Sequence, residues 1–299
     1  MSLSLTDGGI ETSLIFKQGF ELPCFASFPL LETELGRDAL RSYFTPFLDL
    51  AAETGLPFVL DSATWRANPD WGERLGYTRE QLAAVNREAV AFARSLAGDR
   101  PSIVINGAIG PRGDGYVIEN RMDETEAEHY HAWQVGVLRD AGVERVTALT
   151  LTYPEEAVGI VRAAASAALP VLVGFTVETD GRLPSGESLS ETIARVDRRT
   201  DNGAACFLIN CAHPSHFAGT VSEDGTWVER IGGLRANASA LSHAELDESE
   251  ELDEGAPAEL AAEHRALRTR LPGVELLGGC CGTDHRHVRA IAQAWMAQP

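Results

Sequence analysis

The hydrophobic pattern alternates between short apolar runs and longer amphipathic segments. Eight runs rich in β-branched and apolar residues recur about every 30 to 40 residues, the size of a βα unit. Most of them are continuously apolar, as strands buried on both faces require. We therefore predict eight strands, within residues 2–9, 57–63, 102–109, 145–152, 170–177, 205–211, 230–238 and 274–280.

Helical periodicity fills most of the intervals between these runs. The predicted helices span residues 34–54, 78–96, 123–141, 155–168, 188–202, 257–271 and 284–296. Strands alternating with helices predict an α/β protein, and eight of them favour a closed (β/α)8 TIM barrel. The alternative is an open doubly wound sheet, which usually has five or six strands. Because no repeat or linker interrupts the pattern, we expect residues 1–299 to form a single domain.

The charge of the chain limits its partners. Lys and Arg number 25 against 44 Asp and Glu, so the formal net charge is -19. Such a charge opposes binding to nucleic acids and anionic membranes, and we expect neither as a partner. The first residues carry neither positive charge nor a long apolar run, so we expect a cytoplasmic protein. The acidic stretch 243–264 is expected to be a solvated loop leading into a helix.

Cysteines stand at two predicted strand ends, where barrel enzymes carry their catalytic residues. Cys211 ends the sixth strand, and the adjacent Cys280 and Cys281 end the eighth. Only one strand separates these positions in a closed barrel, so the three sulfurs can meet at its rim. Adjacent strand residues face opposite ways, and the flanking glycines Gly279 and Gly282 would allow the backbone to leave the strand there.

Three thiolates predict a zinc site with its fourth position open for catalysis. The alternatives are a closed structural site, inert buried cysteines, or a disulfide between Cys280 and Cys281. A mixed histidine and cysteine set is also conceivable. We favour ordinary local roles for the nearby polar residues, with His213 capping a loop and Asp284, His285 and His287 beginning the last helix.

Five segments resemble the homocysteine S-methyltransferase family, whose members are zinc-dependent barrels. They are GGCCGTDHRHVRAIA at 278–292, INCAHP at 209–214, TDGGIET at 6–12, NGAIGPRGDGY at 106–116 and GRLPSG at 181–186. The resemblance implies that the zinc ligands are Cys211, Cys280 and Cys281, with Asn237 able to approach the metal. It also implies three residues beside the amino-acid part of homocysteine: Asp7, Gly8 and Gly9.

One departure concerns the partner of the substrate amino group. Many relatives carry a glutamate for it at the end of the fourth strand, where this chain has Leu151. An ammonium without such a partner would lose a charge-assisted hydrogen bond. We expect a neighbouring carboxylate, from Glu155, Glu156 or Glu178, to replace it.

A second departure follows the second strand, where Trp65 and Arg66 replace residues common in relatives. Arg66 is expected either to hold a substrate carboxylate or to pair with Asp61 or Asp70.

The predicted chemistry is methyl transfer to a thiol. A free thiol is mostly protonated at neutral pH, and binding to zinc deprotonates it. We therefore predict a zinc-dependent S-methyltransferase that moves a methyl group from a sulfonium or ammonium donor to a thiol, homocysteine, giving methionine. The alternatives are a zinc-dependent hydrolase or lyase that uses metal-bound water, and a non-catalytic amino-acid-binding protein. The sequence indicates neither the donor nor an oligomeric state.

Overall fold

Eight parallel strands close into a barrel in the order of the chain. The computed structural model describes residues 3–222 and 225–297. Each predicted run contains one strand, and β1 pairs with β8 to complete the ring. The closed barrel is therefore confirmed, and the open-sheet alternative is wrong. The strands are β1 Ser4–Leu5, β2 Phe58–Asp61, β3 Ile103–Ile109, β4 Arg145–Leu151, β5 Val171–Phe175, β6 Cys206–Asn210, β7 Ile231–Ala236 and β8 Leu276–Gly279.

The predicted helices are all present, and short ones add to them. In chain order they are α1 Ile10–Thr12, α2 Glu34–Thr54, α3 Pro69–Arg74, α4 Arg79–Ala97, α5 Glu124–Ala141, α6 Pro154–Ser166, α7 Leu189–Thr200, α8 Pro214–Phe217, α9 His243–Asp247, α10 Pro257–Leu267 and α11 His285–Met296. A π-helix covers Ser13–Lys17, and 3-10 turns cover Pro23–Phe25, Phe28–Glu32, Thr220–Ser222 and Thr226–Arg230. Within the described parts of the chain, no helix has the length and hydropathy needed to cross a membrane.

Local side chains fix where the long helices begin and end. The Thr33 hydroxyl accepts a hydrogen bond from the Gly36 amide at the start of α2, and Asp123 caps the first amides of α5 in the same way. Both helices end at a glycine with positive φ, 69° at Gly55 and 88° at Gly142. Glycine adopts this left-handed conformation without steric cost.

Alternation along each strand separates two buried layers. Phe58 and Leu60 of β2 pack in the core between the sheet and the helices. Val59 lies in the barrel interior, in a separate apolar cluster with Leu149, Leu172, Leu208 and Leu276. The next inward residue of β2 is Asp61, which bonds across the barrel to Arg235 of β7. The interior is therefore apolar below and polar at the carboxyl ends of the strands, the side on which catalytic residues of such barrels lie.

Candidate functional site

A cavity of about 380 Å³ opens at the carboxyl ends of the strands. Its walls come from the carboxyl ends of β2, β3, β4, β6 and β7 and from the segments that follow β1, β2, β3, β6, β7 and β8. Part of one wall comes from the acidic segment, through Leu246, Asp247, Glu251, Leu252 and Asp253. The segment is largely exposed and leads into α10, as expected, and it also folds over the mouth of the barrel.

The three predicted cysteines meet at the wall of this cavity. The sulfurs of Cys211, Cys280 and Cys281 lie within 4.8 Å of one another, and the Sγ atoms of Cys211 and Cys281 are 3.8 Å apart. The structure joins Cys211 and Cys280 in a disulfide with a Cα–Cα distance of 5.3 Å, and Cys281 is a free thiol. The pairing expected as an alternative, between Cys280 and Cys281, does not form.

Backbone departures from the strands aim these side chains at one point. Cys211 follows the last residue of β6 and has a φ of 55°, in the left-handed region that non-glycine residues rarely adopt. Strand β8 ends at Gly279, so both Cys280 and Cys281 lie beyond it. Gly282 then continues the loop with a φ of 78°. The flanking glycines thus have the role predicted from the sequence.

Close packing between the loops after β1 and β8 explains the two glycines near the amino terminus. A Cβ at Gly8 would lie 2.7 Å from the Thr283 carbonyl oxygen, and one at Gly9 would lie 2.5 Å from the Cys280 carbonyl oxygen. The Gly9 amide also donates to Thr283, at 3.1 Å. These glycines let the first loop of the chain support the backbone that carries the cysteine pair.

The surroundings of the sulfurs suit a bound cation. Burial raises the pKa of the Cys281 thiol to about 11, so a thiolate there needs a positive partner. The Tyr116 hydroxyl lies 3.4 Å from Cys211 Sγ and 3.8 Å from Cys281 Sγ. Asn237 donates through Nδ2 to the Cys211 carbonyl at 3.1 Å, and its buried Oδ1 has no hydrogen-bond partner among the described residues. Once the Cys211–Cys280 disulfide is reduced, three soft sulfurs beside a free oxygen donor fit a zinc ion.

The histidines near the cysteines have capping roles. His213 Nδ1 accepts the Ser215 amide at the start of α8, and Asp284 with His287 forms a capping box at the start of α11. Among the described residues, the group able to hold a metal consists of the three cysteines alone. The mixed histidine and cysteine set is therefore not assembled.

A buried ionic network lies beside the cysteines. The Arg235 guanidinium donates to Asp7 through Nη2 and to Asp61 through Nη1. Tyr43 donates to the other oxygen of Asp7 at 3.0 Å, and Asn106 donates to the other oxygen of Asp61 at 2.6 Å. Burial raises the pKa of Asp7 to about 6, although Arg235 acts to lower it. One guanidinium thus holds two carboxylates from different strand ends.

The residues expected at the amino-acid part of homocysteine all line the cavity: Asp7, Gly8 and Gly9. Their polar groups are already used within the protein. Both Asp7 oxygens accept hydrogen bonds, and the Gly8 amide donates to the Tyr43 hydroxyl at 3.2 Å. These three residues form a hydrogen-bonded wall of the cavity.

The glutamates expected to replace the missing strand-four carboxylate do not line the cavity. Each has another partner: Glu155 pairs with Arg121 and Arg195, Glu156 with His131, and Glu178 with His243. This expectation is therefore wrong. A different carboxylate, that of Glu11, lines the cavity instead.

Arg66 lies in the cavity wall, and its surroundings differ from the prediction. Its guanidinium stacks over Trp65 and Trp71, with 4.2 and 4.0 Å from Cζ to the ring centroids. Its nearest carboxylate is that of Asp114, at 3.6 Å. The two partners predicted for it are wrong, since Asp61 bonds to Arg235 and Asp70 bonds to Arg112.

Three residues of the cavity wall were not predicted from the sequence: Glu11, Tyr116 and Arg235. Arg235 carried a signal, because a charge within a strand predicted to be buried requires a buried counter-charge. Glu11 and Tyr116 lie in the segments TDGGIET and NGAIGPRGDGY, for which the resemblance implied no role at these two positions. Nothing in their spacing indicates that they face the cysteines.

Comparisons with known proteins identify the family of this chain. The model of the family described as homocysteine S-methyltransferase matches residues 4–295. Betaine–homocysteine S-methyltransferase 1 from Rattus norvegicus is 26% identical over 276 residues, which is 86% of this chain and 64% of the relative. Homocysteine S-methyltransferase 4 from Zea mays is 23% identical, over 97% of this chain and 89% of the relative.

Solved structures share the fold. The homocysteine methyltransferase MmuM from Escherichia coli superimposes with TM-scores of 0.76 in its oxidized form and 0.73 in its metallated form. Both are 18% identical in sequence and cover 97% of this chain and 95% of that one. The family match spans nearly all of the sequence, and the resemblance found in its motifs is confirmed. The chain belongs to the homocysteine S-methyltransferase family.

Proposed function

We propose that this protein transfers a methyl group from a sulfonium or ammonium donor to the thiol of homocysteine, giving methionine. The observation that carries the proposal is the meeting of three cysteine sulfurs within 4.8 Å at the wall of a substrate-sized cavity. The rat relative is named for transfer from betaine to homocysteine. Because this chain spans 64% of that relative, the donor is assigned here only by chemical class.

Cys211, Cys280 and Cys281 would hold a zinc ion, with Asn237 beside it. Zinc bound there would keep a substrate thiol deprotonated and nucleophilic at neutral pH. All three sulfurs must be reduced for this, so the Cys211–Cys280 disulfide has to open. A reducing compartment favours that state, and we infer a cytoplasmic location on this ground.

The protein residues would orient the two substrates. The wall of Asp7, Gly8 and Gly9 would lie beside the amino-acid part of homocysteine, fixed by the Arg235 network. The substrate thiolate forms a bond to the methyl carbon while the bond from that carbon to the donor breaks, leaving a neutral sulfide or amine. Holding the reactants in line supplies the orientational part of the rate. We infer that residues 1–299 act as one domain, since segments from near both ends of the chain build the site.

The test combines metal analysis with a donor panel. Protein purified under reducing conditions without chelator should contain about one zinc per chain. It should form methionine from homocysteine with at least one of S-methylmethionine, S-adenosylmethionine and betaine. Zinc-loaded protein that transfers no methyl group from any of these donors would contradict the proposal, as would a wild-type chain that binds no metal.

A further inference from the structure

Glu11 presents a carboxylate to the cavity without a cationic partner. It lies in α1, two residues after the glycine pair, and its side chain is half-buried. The Ser27 hydroxyl donates to Oε1 at 3.0 Å. No ion pair of Glu11 occurs within the described ranges, although it lines the same cavity as the cysteines. Its charge also acts on Cys281, whose pKa it helps to raise.

The other carboxylates of the cavity are not available to a bound cation in the same way. Asp7 and Asp61 share Arg235. Asp114 accepts the amides of Tyr116 and Val117 and lies near Arg66. The remaining three are exposed on the acidic segment: Asp247, Glu251 and Asp253. Glu11 thus combines shelter from water with a free charge.

A sheltered carboxylate of this kind is costly without a ligand. Burial raises the pKa of Glu11 to about 7, and the Asp7 charge adds to the effect. A hydrogen bond from the Glu11 backbone, the Ser27 hydroxyl and the charge of Arg66 oppose this rise of the pKa only in part. A cation bound against Glu11 would stabilise the ionised carboxylate and offset the free energy that its burial costs.

We propose that Glu11 binds the ammonium group of homocysteine and selects thiols that carry a protonated amino group. This inference rests on the proposed function and adds the specificity determinant that the end of β4 lacks. The Asp7 oxygens and the amides of Gly8 and Gly9 are already hydrogen-bonded within the protein. The charge-assisted hydrogen bond to the ammonium therefore comes from the Glu11 side chain. Glu11 is a substrate-binding residue and takes no part in moving the methyl group.

The experiment compares homocysteine with 4-sulfanylbutanoate, which has the same thiol and carboxylate without the amino group. Glu11→Gln keeps the oxygen that accepts from Ser27 and removes the charge. We expect it to raise KM for homocysteine by about 10- to 100-fold, the loss of one charge-assisted hydrogen bond, and to leave KM for 4-sulfanylbutanoate unchanged. Glu11→Asp retains the charge and should recover part of the preference.

A matched control is Glu250→Gln, which removes one exposed charge from the acidic segment outside the cavity lining. It should change neither KM. Thermal unfolding separates a structural role from a binding role. At pH 8 without substrate, Glu11→Gln should unfold at a temperature equal to or above that of the wild type, because a costly buried charge is gone.

Calorimetric binding of both thiols to zinc-loaded protein keeps this proposal separate from the proposed function. If homocysteine binds and no donor supports transfer, the methyltransferase proposal fails, and the binding preference still decides the role of Glu11. Equal effects of Glu11→Gln on both thiols would overturn the proposal, as would no effect on either. Failure of homocysteine to bind the wild type would also overturn it.

Discussion

The cysteine cluster and the Arg235 network lie side by side at the barrel mouth and differ in how complete they are. Around Arg235, both carboxylates have their oxygens occupied by protein donors. Around the cysteines, Cys281 is a free thiol and the Asn237 oxygen has no partner among the described residues. One group is saturated by the protein, and the other has bonding capacity left for a ligand.

This difference separates a group that supports the structure from a group that can bind a ligand. A satisfied buried network fixes the positions of the strand ends that carry it. Ligand atoms without a partner beside a cavity are instead the places where a metal or a substrate can form new bonds. Mutations of the cysteine cluster should therefore reduce metal binding and turnover. Mutations of the Arg235 network should instead reduce the stability of the fold.

The largest effect is expected at the cysteines. Cys281→Ser should lose bound zinc and lower methyl transfer by more than about 100-fold, because a hard hydroxyl replaces a soft thiolate ligand. Metal analysis and methionine formation measure this, and circular dichroism should report an unchanged fold. Cys24→Ser, at an exposed cysteine that is neither part of the three-sulfur group nor of the cavity lining, is the matched control. Full zinc content in Cys281→Ser would remove the basis of the comparison.

The next effect is expected in the saturated network and should appear as instability. Arg235→Met leaves Asp7 and Asp61 facing each other without their shared cation, which should cost about 3–5 kcal/mol of unfolding free energy in urea denaturation. Replacing both carboxylates with asparagine in that variant should recover much of the loss.

The exposed Arg289, which pairs with Glu53 on the surface, provides the control for this prediction. Arg289→Met should leave the urea midpoint nearly unchanged. If Arg235→Met were equally mild, the network would not be a structural support.

The smallest effect is expected at the hydroxyl that touches the sulfurs. Tyr116→Phe removes the hydroxyl contacts to Cys211 and Cys281. Zinc binding should weaken by about tenfold, as it does when a group that contacts the metal ligands is removed. Competition with a chromophoric chelator measures it. Tyr130→Phe removes a hydroxyl that donates to Asn68 instead and should leave zinc affinity unchanged. Equal affinities in all three proteins would show that Tyr116 only packs on His243, whose ring lies 4.0 Å away.

Most of the fold was predictable because its signals are local. Continuous apolar runs mark strands buried on both faces, and helix α2 has the predicted bounds because Thr33 and Gly55 stop it at each end. The short helices α1, α3, α8 and α9 were missed, since three to six residues carry too little periodicity to detect.

The site was predictable only where rare residues mark it. Adjacent cysteines among glycines at a strand end are unusual enough for the sequence alone to indicate a metal site. Asp61 shows the limit, because its predicted partner Arg66 is near in sequence and its actual partner Arg235 is 174 positions away. Buried charge pairs depend on which strands become neighbours or face each other across the barrel, and local pattern contains no such information.

The seam between β1 and β8 has a consequence for biosynthesis. Leu5 lies opposite Leu277, and the Gly282 amide donates to the Thr12 hydroxyl across 270 positions. A nascent polypeptide whose β8 has not yet left the ribosome has no closed ring of strands. It also lacks two of the three clustered cysteines, Cys280 and Cys281. The three-cysteine group can therefore assemble only after β8 has been synthesised, and until then the incomplete sheet has an open edge.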